Sequence, residues 1–275
     1  MNGLDLSYAN DLTIEDLREL KKRYNLKFMI LRLGYSTSLD DKVEKYVDMC
    51  KTLDLPVSFY HFSYATNLDK AKQEAEFVNT QVSRLEDNPF LPIYFDFEYD
   101  SEKYYRSKNG CDITEKIYQA FYQIYDQNID YEVGIYFNND YFNRFTDTIS
   151  KIPIENRWIS YGDKDVAGMQ QTQIIYKNKK IDINNIYDEK LKYNIENYYS
   201  KGWIRRHNKW YYRDFEGKFM KGWLFHQDQY YYLNNNGEML TGLNNIVSYT
   251  GDNELYYFSP GDGHMMRTDE RGALK

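Results

Sequence analysis

The stretch that decides the fold of the first domain is Pro92-Ile93-Tyr94-Phe95-Asp96-Phe97-Glu98-Tyr99. Its side chains alternate with a period of two, which is the pattern of a β-strand. Because successive side chains of a strand point to opposite faces, Asp96 and Glu98 are predicted to project from the same face. The sequence therefore predicts a strand over 92–99 that carries two carboxylates near its end.

Similar short segments lie on both sides of this strand and alternate with helical patterns through the first 190 residues. We predict strands at 3–9, 28–34, 57–64, 92–99, 132–137, 157–161, 167–175 and 180–186. Apolar residues spaced three and four apart predict helices at 43–53, 67–85 and 112–125. Alternating strands and helices indicate an α/β fold, and we predict a TIM-like β/α barrel. The barrel should be irregular, because little helix separates the last three strands.

Four acidic residues are expected to converge at one mouth of this barrel. Asp5 lies in the first predicted strand and Asp182 in the last, and these strands are neighbours in a closed barrel. Asp96 and Glu98 lie at the C-terminal end of a strand, where such barrels hold their active sites. Neighbouring carboxylates push one another's pKa values apart, which provides the acid and the carboxylate that glycoside hydrolysis requires.

Other interpretations of these acids stay open at this point. Paired acids at a strand end are also found as solvated loop residues or as ligands of a cation. Asp5 and Asp182 could instead pair with basic neighbours. Aromatic side chains near strand ends are candidates for stacking on sugar faces, although each is more often part of a core. The candidates are Tyr60, His61, Tyr136, Trp158 and Tyr161.

The motifs of residues 1–190 resemble those of the lysozymes of glycoside hydrolase family 25. The matching segments, in chain order, are Gly3-Leu4-Asp5-Leu6-Ser7, Phe59-Tyr60-His61-Phe62, Phe95-Asp96-Phe97-Glu98, Arg157-Trp158-Ile159-Ser160-Tyr161-Gly162 and Lys180-Ile181-Asp182. The resemblance implies that Glu98 is the general acid that protonates the glycosidic oxygen. It also implies that Asp96 tunes Glu98 and positions the substrate acetamido group, while Asp5 and Asp182 line the same mouth. The bond implied is the β-1,4 link between N-acetylmuramic acid and N-acetylglucosamine.

One segment departs from the family pattern. Where the family usually has Trp-Gln, this chain has Met169-Gln170. We keep Gln170 as a candidate substrate-binding residue, and we expect a weaker stacking surface where the tryptophan is replaced. A barrel that cleaves a different glycan is therefore one alternative.

Beyond residue 200 the sequence repeats with a period of about 20 residues. Lys201-Gly202-Trp203 aligns with Lys221-Gly222-Trp223, and Trp210-Tyr211-Tyr212 aligns with Tyr230-Tyr231-Tyr232. A looser third copy begins at Thr241-Gly242-Leu243. Each unit is typical of a β-hairpin that buries its face by stacking on the next. We therefore predict a catalytic barrel at 1–190, a linker at 191–200 and a β-hairpin repeat module at 201–275.

The repeated Gly-Trp followed by aromatic residues resembles the choline-binding repeats of cell-wall hydrolases. A quaternary ammonium cannot donate hydrogen bonds, so ring faces are its best partners. The rings predicted to bind it are Trp203, Trp210, Trp223, Tyr230 and Tyr232. Some of these rings must form the core of the repeats instead. Related repeats bind glucans or other wall polymers, so choline or another wall-polymer ligand is expected.

Charge and motifs argue against several other classes of protein. A net charge of -7 without a basic stripe argues against a nucleic-acid partner. No apolar stretch is long enough for membrane insertion, and the N-terminus lacks a signal-peptide pattern. We therefore expect synthesis in the cytoplasm and action at the cell wall after release. The sequence has no His-Glu-x-x-His, Gly-x-Ser-x-Gly or phosphate-binding glycine loop, and no cofactor or metal is expected.

The resemblance implies a peptidoglycan hydrolase, an N-acetylmuramidase, and we expect one of the phage endolysin type. Its substrate would be bacterial peptidoglycan, on which the repeat module would hold it. A bacterial autolysin of the same chemistry and a non-catalytic cell-wall-binding protein are the alternatives. Retention, inversion and an acetamido-assisted route all stay open, because the separation of the carboxyl groups is not known from sequence.

Overall fold

The computed structural model describes residues 1–85, 89–206, 208–214, 217–247 and 252–267 of the 275-residue chain. The chain divides into two compact units, Met1–Tyr198 and Tyr199–Lys275. The remaining positions of the predicted repeat module, 207, 215–216, 248–251 and 268–275, lie outside the described residues. A search of the described helices finds none with the length and apolar character to cross a membrane.

The first unit combines a barrel with helices on its outside. Its strands are β1 (Asn2–Leu6), β2 (Leu26–Tyr35), β3 (Ser38–Leu39), β4 (Val57–Phe62), β5 (Ile93–Asp96), β6 (Val133–Asn138), β7 (Arg157–Ser160), β8 (Met169–Tyr176) and β9 (Lys179–Ile186). Its helices are α1 (Ile14–Tyr24), α2 (Val43–Thr52), α3 (Leu68–Leu85), α4 (Tyr99–Asn109), α5 (Glu115–Asn128), α6 (Asn139–Arg144), α7 (Thr146–Ile149) and α8 (Glu189–Tyr199). Each of the predicted strands is present, with boundaries that differ by a few residues.

The sheet closes because β1 pairs with β2 on one side and with β9 on the other. The other barrel pairings are parallel up to β8, but β9 runs antiparallel to both β1 and β8. A tight turn replaces the last crossover helix, with positive φ angles of 47° at Lys177 and 63° at Asn178. Two such residues in succession suit the twist of a hairpin. The predicted irregular α/β barrel is therefore confirmed.

Side chains of the barrel strands separate into an outer and an inner set. Phe59 and Phe95 point outward into the buried layer between sheet and helices. Aromatic side chains also fill the interior, where the ring of Trp158 lies 4.6 Å from that of Tyr136 and 5.2 Å from that of Tyr94, centroid to centroid. Gly134 makes room for this packing, because a Cβ atom there would lie 2.7 Å from the Tyr94 ring. The interior thus forms an aromatic floor below the strand ends.

Two predicted boundaries are corrected by the structure. The strand predicted over 92–99 ends at Asp96, and α4 begins at Tyr99. The linker predicted at 191–200 is wrong, because most of it belongs to α8, which buries Leu191 and Ile195. Tyr198 of this helix donates a hydrogen bond to Asp54 and packs against Phe90. The spacing of these buried residues is helical, so the sequence already contained the signal.

The second unit consists of successive hairpins. Its strands are β10 (Gly202–Arg206), β11 (Lys209–Arg213), β12 (Gly222–His226), β13 (Gln229–Leu233), β14 (Gly242–Val247), β15 (Asn253–Phe258) and β16 (Met265–Met266). Trp203 pairs with Tyr212 in the first hairpin, as Trp223 pairs with Tyr232 in the second. The predicted hairpins of the repeats are therefore present, and equivalent residues of successive repeats occupy equivalent positions.

Candidate functional site

A cleft of about 250 Å³ lies at the mouth of the barrel, above its aromatic floor. All four predicted acids line it, together with four of the predicted sugar-contact residues. The lining residues are Asp5, Arg32, Tyr60, Phe62, Asp96, Glu98, Tyr136, Trp158, Tyr161, Gln171, Gln173 and Asp182. The structure thus brings together side chains from strands that are far apart in sequence.

Asp5 and Asp182 stand opposite each other where β1 pairs with β9. Asp5 is buried and accepts hydrogen bonds from the side-chain amides of Asn184, at 2.8 Å, and Gln171, at 3.1 Å and 3.2 Å. Burial, followed by the charge of Asp182, raises the pKa of Asp5 to about 7. Burial also raises the pKa of Asp182, which accepts a hydrogen bond from Gln173. This side of the cleft can therefore hold a proton near neutral pH.

Asp96 is the last residue of β5 and only 3% of its surface is exposed. Burial, then the charges of Glu98 and Asp5, raise its pKa well above the usual range, while Arg32 opposes them. Its Oδ1 atom has no hydrogen-bond partner among the described residues. A buried oxygen without a partner is costly, and the same burial is the main cause of the raised pKa of Asp96.

Glu98 occupies the N-cap position of α4, where the chain turns from β5 into the helix. Its backbone N–H donates to the Ser101 hydroxyl, which fixes the residue at the rim of the cleft. Glu98 is less buried than Asp96, so its carboxyl group is the more accessible of the pair. Burial, followed by the charges of Asp100 and Asp182, raises the pKa of Glu98. Glu98 therefore places a carboxyl group with a raised pKa next to the open cleft.

Two chains of hydrogen bonds, here called arms, connect the aromatic floor to Asp5. Trp158 Nε1 donates to the side-chain oxygen of Asn184 at 2.8 Å, and Asn184 donates to Asp5. Tyr136 donates to the side-chain oxygen of Gln171 at 2.8 Å, and Gln171 also donates to Asp5. Both arms fix Asp5, because each amide is oriented by a second partner.

Two predicted site residues lie elsewhere. His61 is fully buried on the outer face of β4, between Tyr125, whose hydroxyl lies 2.8 Å from Nδ1, and the carbonyl oxygen of Ser36. Burial lowers its pKa to about 4, so the ring is neutral at pH 7. Gln170 binds the Gly162 carbonyl and the Tyr187 hydroxyl rather than lining the cleft. The predictions of substrate contact for His61 and Gln170 are therefore wrong.

Several residues of the cleft were missed by the sequence analysis. Gln171 and Gln173 share one face of β8, and Gln170 lies on the other, as the period of two along a strand requires. Applying that period to β8 would have selected Gln171 instead of Gln170. Asn184 follows Asp182 on the same face of β9. No sequence pattern indicated Arg32, because its position at the cleft depends on the ion pair with Asp40 and on the packing of β2 against β4.

The second unit contains two aromatic clefts built in the same way. The first aromatic cleft, about 290 Å³, is lined by Trp203, Trp210, Gln227, Tyr231, Met239, Gly261 and Asp262. The second aromatic cleft, about 440 Å³, is lined by Trp223, Tyr230, Tyr256, Met265 and Arg267. Each combines a tryptophan with a ring from the paired strand, a tyrosine from the next hairpin and a methionine.

Four of the five rings predicted to bind a wall ligand line these clefts. Tyr232 does not, and its ring packs against Trp223 at a centroid distance of 5.3 Å. The tyrosine that faces the first aromatic cleft is its neighbour Tyr231, whose ring centroid lies 4.8 Å from that of Trp203. The prediction for Tyr232 is therefore wrong, because this residue shares a strand face with Tyr230 but packs against Trp223 and does not line the cleft.

No metal site is evident at these places. Across the ranges that the structure describes, no group of three or more His, Cys, Asp or Glu side chains could hold a metal ion. The barrel cleft instead offers carboxyl groups with raised pKa values, amides and ring surfaces. These groups suit proton transfer to a polar substrate with flat apolar faces, such as a glycan.

Comparison with known proteins identifies a family. The family model for glycosyl hydrolases family 25 matches residues 7–183. No curated protein matches the chain. Among solved structures, the modular autolysin LytC from Streptococcus pneumoniae is similar over 66% of this chain, with 19% identity and a TM-score of 0.54. This chain spans 46% of the length of that autolysin.

Two endolysins are also similar in fold. The catalytic domain of endolysin ply40, from bacteriophage P40 of Listeria monocytogenes, aligns with 71% of this chain and 97% of its own, with 16% identity and a TM-score of 0.54. The modular Cpl-1 endolysin, crystallised with a peptidoglycan analogue, aligns with 100% of this chain and 88% of its own, with 19% identity and a TM-score of 0.50. At these identities the likeness concerns the fold.

Tyr161 at the rim of the cleft provides a test of this geometry. It is 55% exposed and has a φ of 49°, a conformation that glycine adopts more readily than any other residue. We expect Tyr161→Gly to be more stable than Tyr161→Ala by about 1 kcal/mol, the reverse of the usual order, because only glycine relieves the left-handed strain. Urea unfolding of the two variants measures the difference, and a more stable alanine variant would contradict the described backbone.

Proposed function

Because the chain belongs to glycosyl hydrolases family 25, we propose that its barrel is an N-acetylmuramidase, a lysozyme acting on bacterial peptidoglycan. The bond cleaved is the β-1,4 link between N-acetylmuramic acid and N-acetylglucosamine. The observation that carries the proposal is the convergence of Asp5, Asp96, Glu98 and Asp182 on one cleft with an aromatic floor. Carboxyl groups held in this way, with raised pKa values, are what glycoside hydrolysis uses.

Glu98 is the general acid in this proposal. Its raised pKa lets it keep its proton to a higher pH than an ordinary glutamate, and its carboxyl group is more accessible than that of Asp96. The proton of Glu98 moves to the glycosidic oxygen as the bond from that oxygen to C1 of the muramic acid residue breaks. The resulting carboxylate can then accept a proton from the water that completes hydrolysis.

Asp96 has a different role because of its deeper position. Asp96 lines the cleft, and we assign its carboxyl group to positioning the substrate acetamido group, as the family resemblance implies. An acetamido group held there could present its carbonyl oxygen to C1, and this supports the acetamido-assisted route among those that the sequence left open. Asp5 and Asp182 complete the acidic side of the cleft, while Tyr60, Tyr136, Trp158 and Tyr161 offer ring surfaces and hydroxyl groups to the sugar.

The biological setting that we propose is the release of phage by an endolysin, the class named for two of the three similar structures. A bacterial autolysin would carry out the same chemistry, and one such protein is the third. In either setting the enzyme acts at the bacterial cell wall.

The catalytic proposal is tested with Glu98→Gln. We expect a loss of roughly 10²- to 10⁴-fold in the release of new reducing ends from purified walls, the usual contribution of a general acid. Since Glu98 must be protonated to donate, wild-type activity should fall as the pH rises through its raised pKa. Glu76→Gln makes the same chemical change on the exposed face of α3 and should keep full activity. Equal lysis by wild type and Glu98→Gln would refute the assignment.

We also propose that the second unit binds choline of the bacterial wall through its aromatic clefts. The proposal is supported by the perpendicular arrangement of the rings, with Trp203 and Trp210 at an interplanar angle of 87° and Trp223 and Tyr230 at 85°. Rings arranged in this way enclose a cation without hydrogen bonds, and each contact contributes about 0.5–2 kcal/mol. Another wall polymer is the alternative ligand.

Sedimentation with choline-decorated walls tests this proposal. Using Glu98→Gln as the parent protein keeps the walls intact during the measurement. We expect Trp203→Ala to weaken wall binding roughly 2- to 30-fold, the equivalent of one cation–π contact, and free choline to displace the parent. Leu255→Ala removes a side chain that is 69% exposed and should bind like the parent. Binding that free choline does not reduce would mean that the clefts recognise a different wall polymer.

A further inference from the structure

The two aromatic clefts have matching rings but opposite charges. The distance between the ring centroids of the tryptophan and the next hairpin's tyrosine is 4.8 Å in the first cleft and 4.9 Å in the second. The charged residue that lines the cleft is Asp262 in the first and Arg267 in the second. Since the rings occupy equivalent positions in the two hairpins, the charged residue should decide which ligand each cleft prefers.

In the first aromatic cleft the charge favours a cation. A hydrogen bond from Ser259 and the neighbouring His264 hold the pKa of Asp262 below its ordinary value, so its carboxylate is ionised at pH 7. Burial, together with the Asp262 charge, raises the pKa of Tyr231, which is a ring of the same cleft. A cation enclosed by these rings therefore gains a nearby negative charge, and a ligand that also carries an anionic group is repelled.

In the second aromatic cleft the charge is reversed. The Arg267 guanidinium lies 5.8 Å from the centroid of the Tyr230 ring. Within the described part of the chain, no carboxylate lies at ion-pair distance from it. The guanidinium lines the cleft and leaves about 440 Å³ open, which exceeds the volume of the first cleft. A bare cation would therefore bind beside a like charge, whereas an anionic group would find a guanidinium donor.

We propose that the two clefts select different forms of a choline-type ligand, an inference that rests on the proposed choline binding of this unit. The first aromatic cleft binds a bare quaternary ammonium. The second aromatic cleft binds a zwitterion, with the ammonium against Trp223, Tyr230 and Tyr256 and an anionic group, such as a phosphate, on Arg267. Phosphocholine is a small probe of that class.

Calorimetric titration of the full chain with choline and with phosphocholine, at constant ionic strength, tests the inference. Wild type should bind one choline and one phosphocholine. Arg267→Gln should weaken phosphocholine binding roughly 3- to 10-fold, as expected for an exposed charge-assisted hydrogen bond, and should admit a second choline. Asp262→Asn should weaken choline binding at the first cleft and leave the phosphocholine site unchanged. Lys221→Gln makes the same change of charge outside both clefts and should behave like wild type.

The outcomes separate this inference from the choline proposal on which it rests. If wild type binds choline but Arg267→Gln has the same phosphocholine affinity and the same choline stoichiometry, the charge selection is refuted and choline binding stands. If wild type binds neither choline nor phosphocholine, both proposals are refuted. Arg267 is exposed, so its replacement should leave folding intact, and an unchanged unfolding temperature verifies this.

Discussion

Closure of the barrel through β1 is the constraint on which the candidate active site depends. β1 joins β2 in parallel and β9 in antiparallel orientation, and the second pairing sets Asp5 opposite Asp182. The same closed sheet brings the end of β5, with Asp96, to the other side of the cleft. Carboxyl groups from distant parts of the sequence therefore share a small volume, and burial with mutual repulsion raises their pKa values. The fold alone thus provides a carboxyl group that can donate a proton. The described residues contain no group of side chains that could hold a metal ion.

Holding these carboxyl groups in place requires the inner layer of the barrel. Buried carboxyl groups are costly unless hydrogen bonds compensate, and the amides of Gln171 and Asn184 provide such bonds to Asp5. Those amides are fixed in turn by Tyr136 and Trp158, so the aromatic floor both packs the barrel and orients the acid. Among the described residues, Oδ1 of Asp96 lacks an equivalent partner, and burial raises the pKa of this carboxyl group well above its usual range.

Much of this architecture could be predicted from the sequence, and the failures have physical causes. The barrel strands were predictable because buried strands form short apolar or alternating runs, and the hairpin repeats because their period is regular. The start of α4 was missed because its exposed, charged sequence carries little apolar periodicity. His61 and Gln170 were misplaced because composition does not reveal which face of a strand is inside, although the period of two along each strand separates the two faces. Tyr232 was misplaced for a different reason: it shares a strand face with Tyr230, and its packing against Trp223 emerged only from the structure. The sequence does not show which rings Arg267 and Asp262 face, so their effect on the clefts emerged only from the structure.

The surroundings of Glu98 at the barrel mouth raise the pKa of its carboxyl group above that of an ordinary glutamate. Carbon-13 NMR titration of side-chain carboxyl groups measures this directly, with the Glu98 signal assigned by its loss in Glu98→Gln. The account predicts that Glu98 titrates above its ordinary pKa of 4.5, and that Asp100→Asn lowers this pKa because a neighbouring negative charge is removed. Asp69→Asn, an equal change of charge in the first turn of α3, should leave it unaltered. A Glu98 pKa at or below 4.5 would contradict the account.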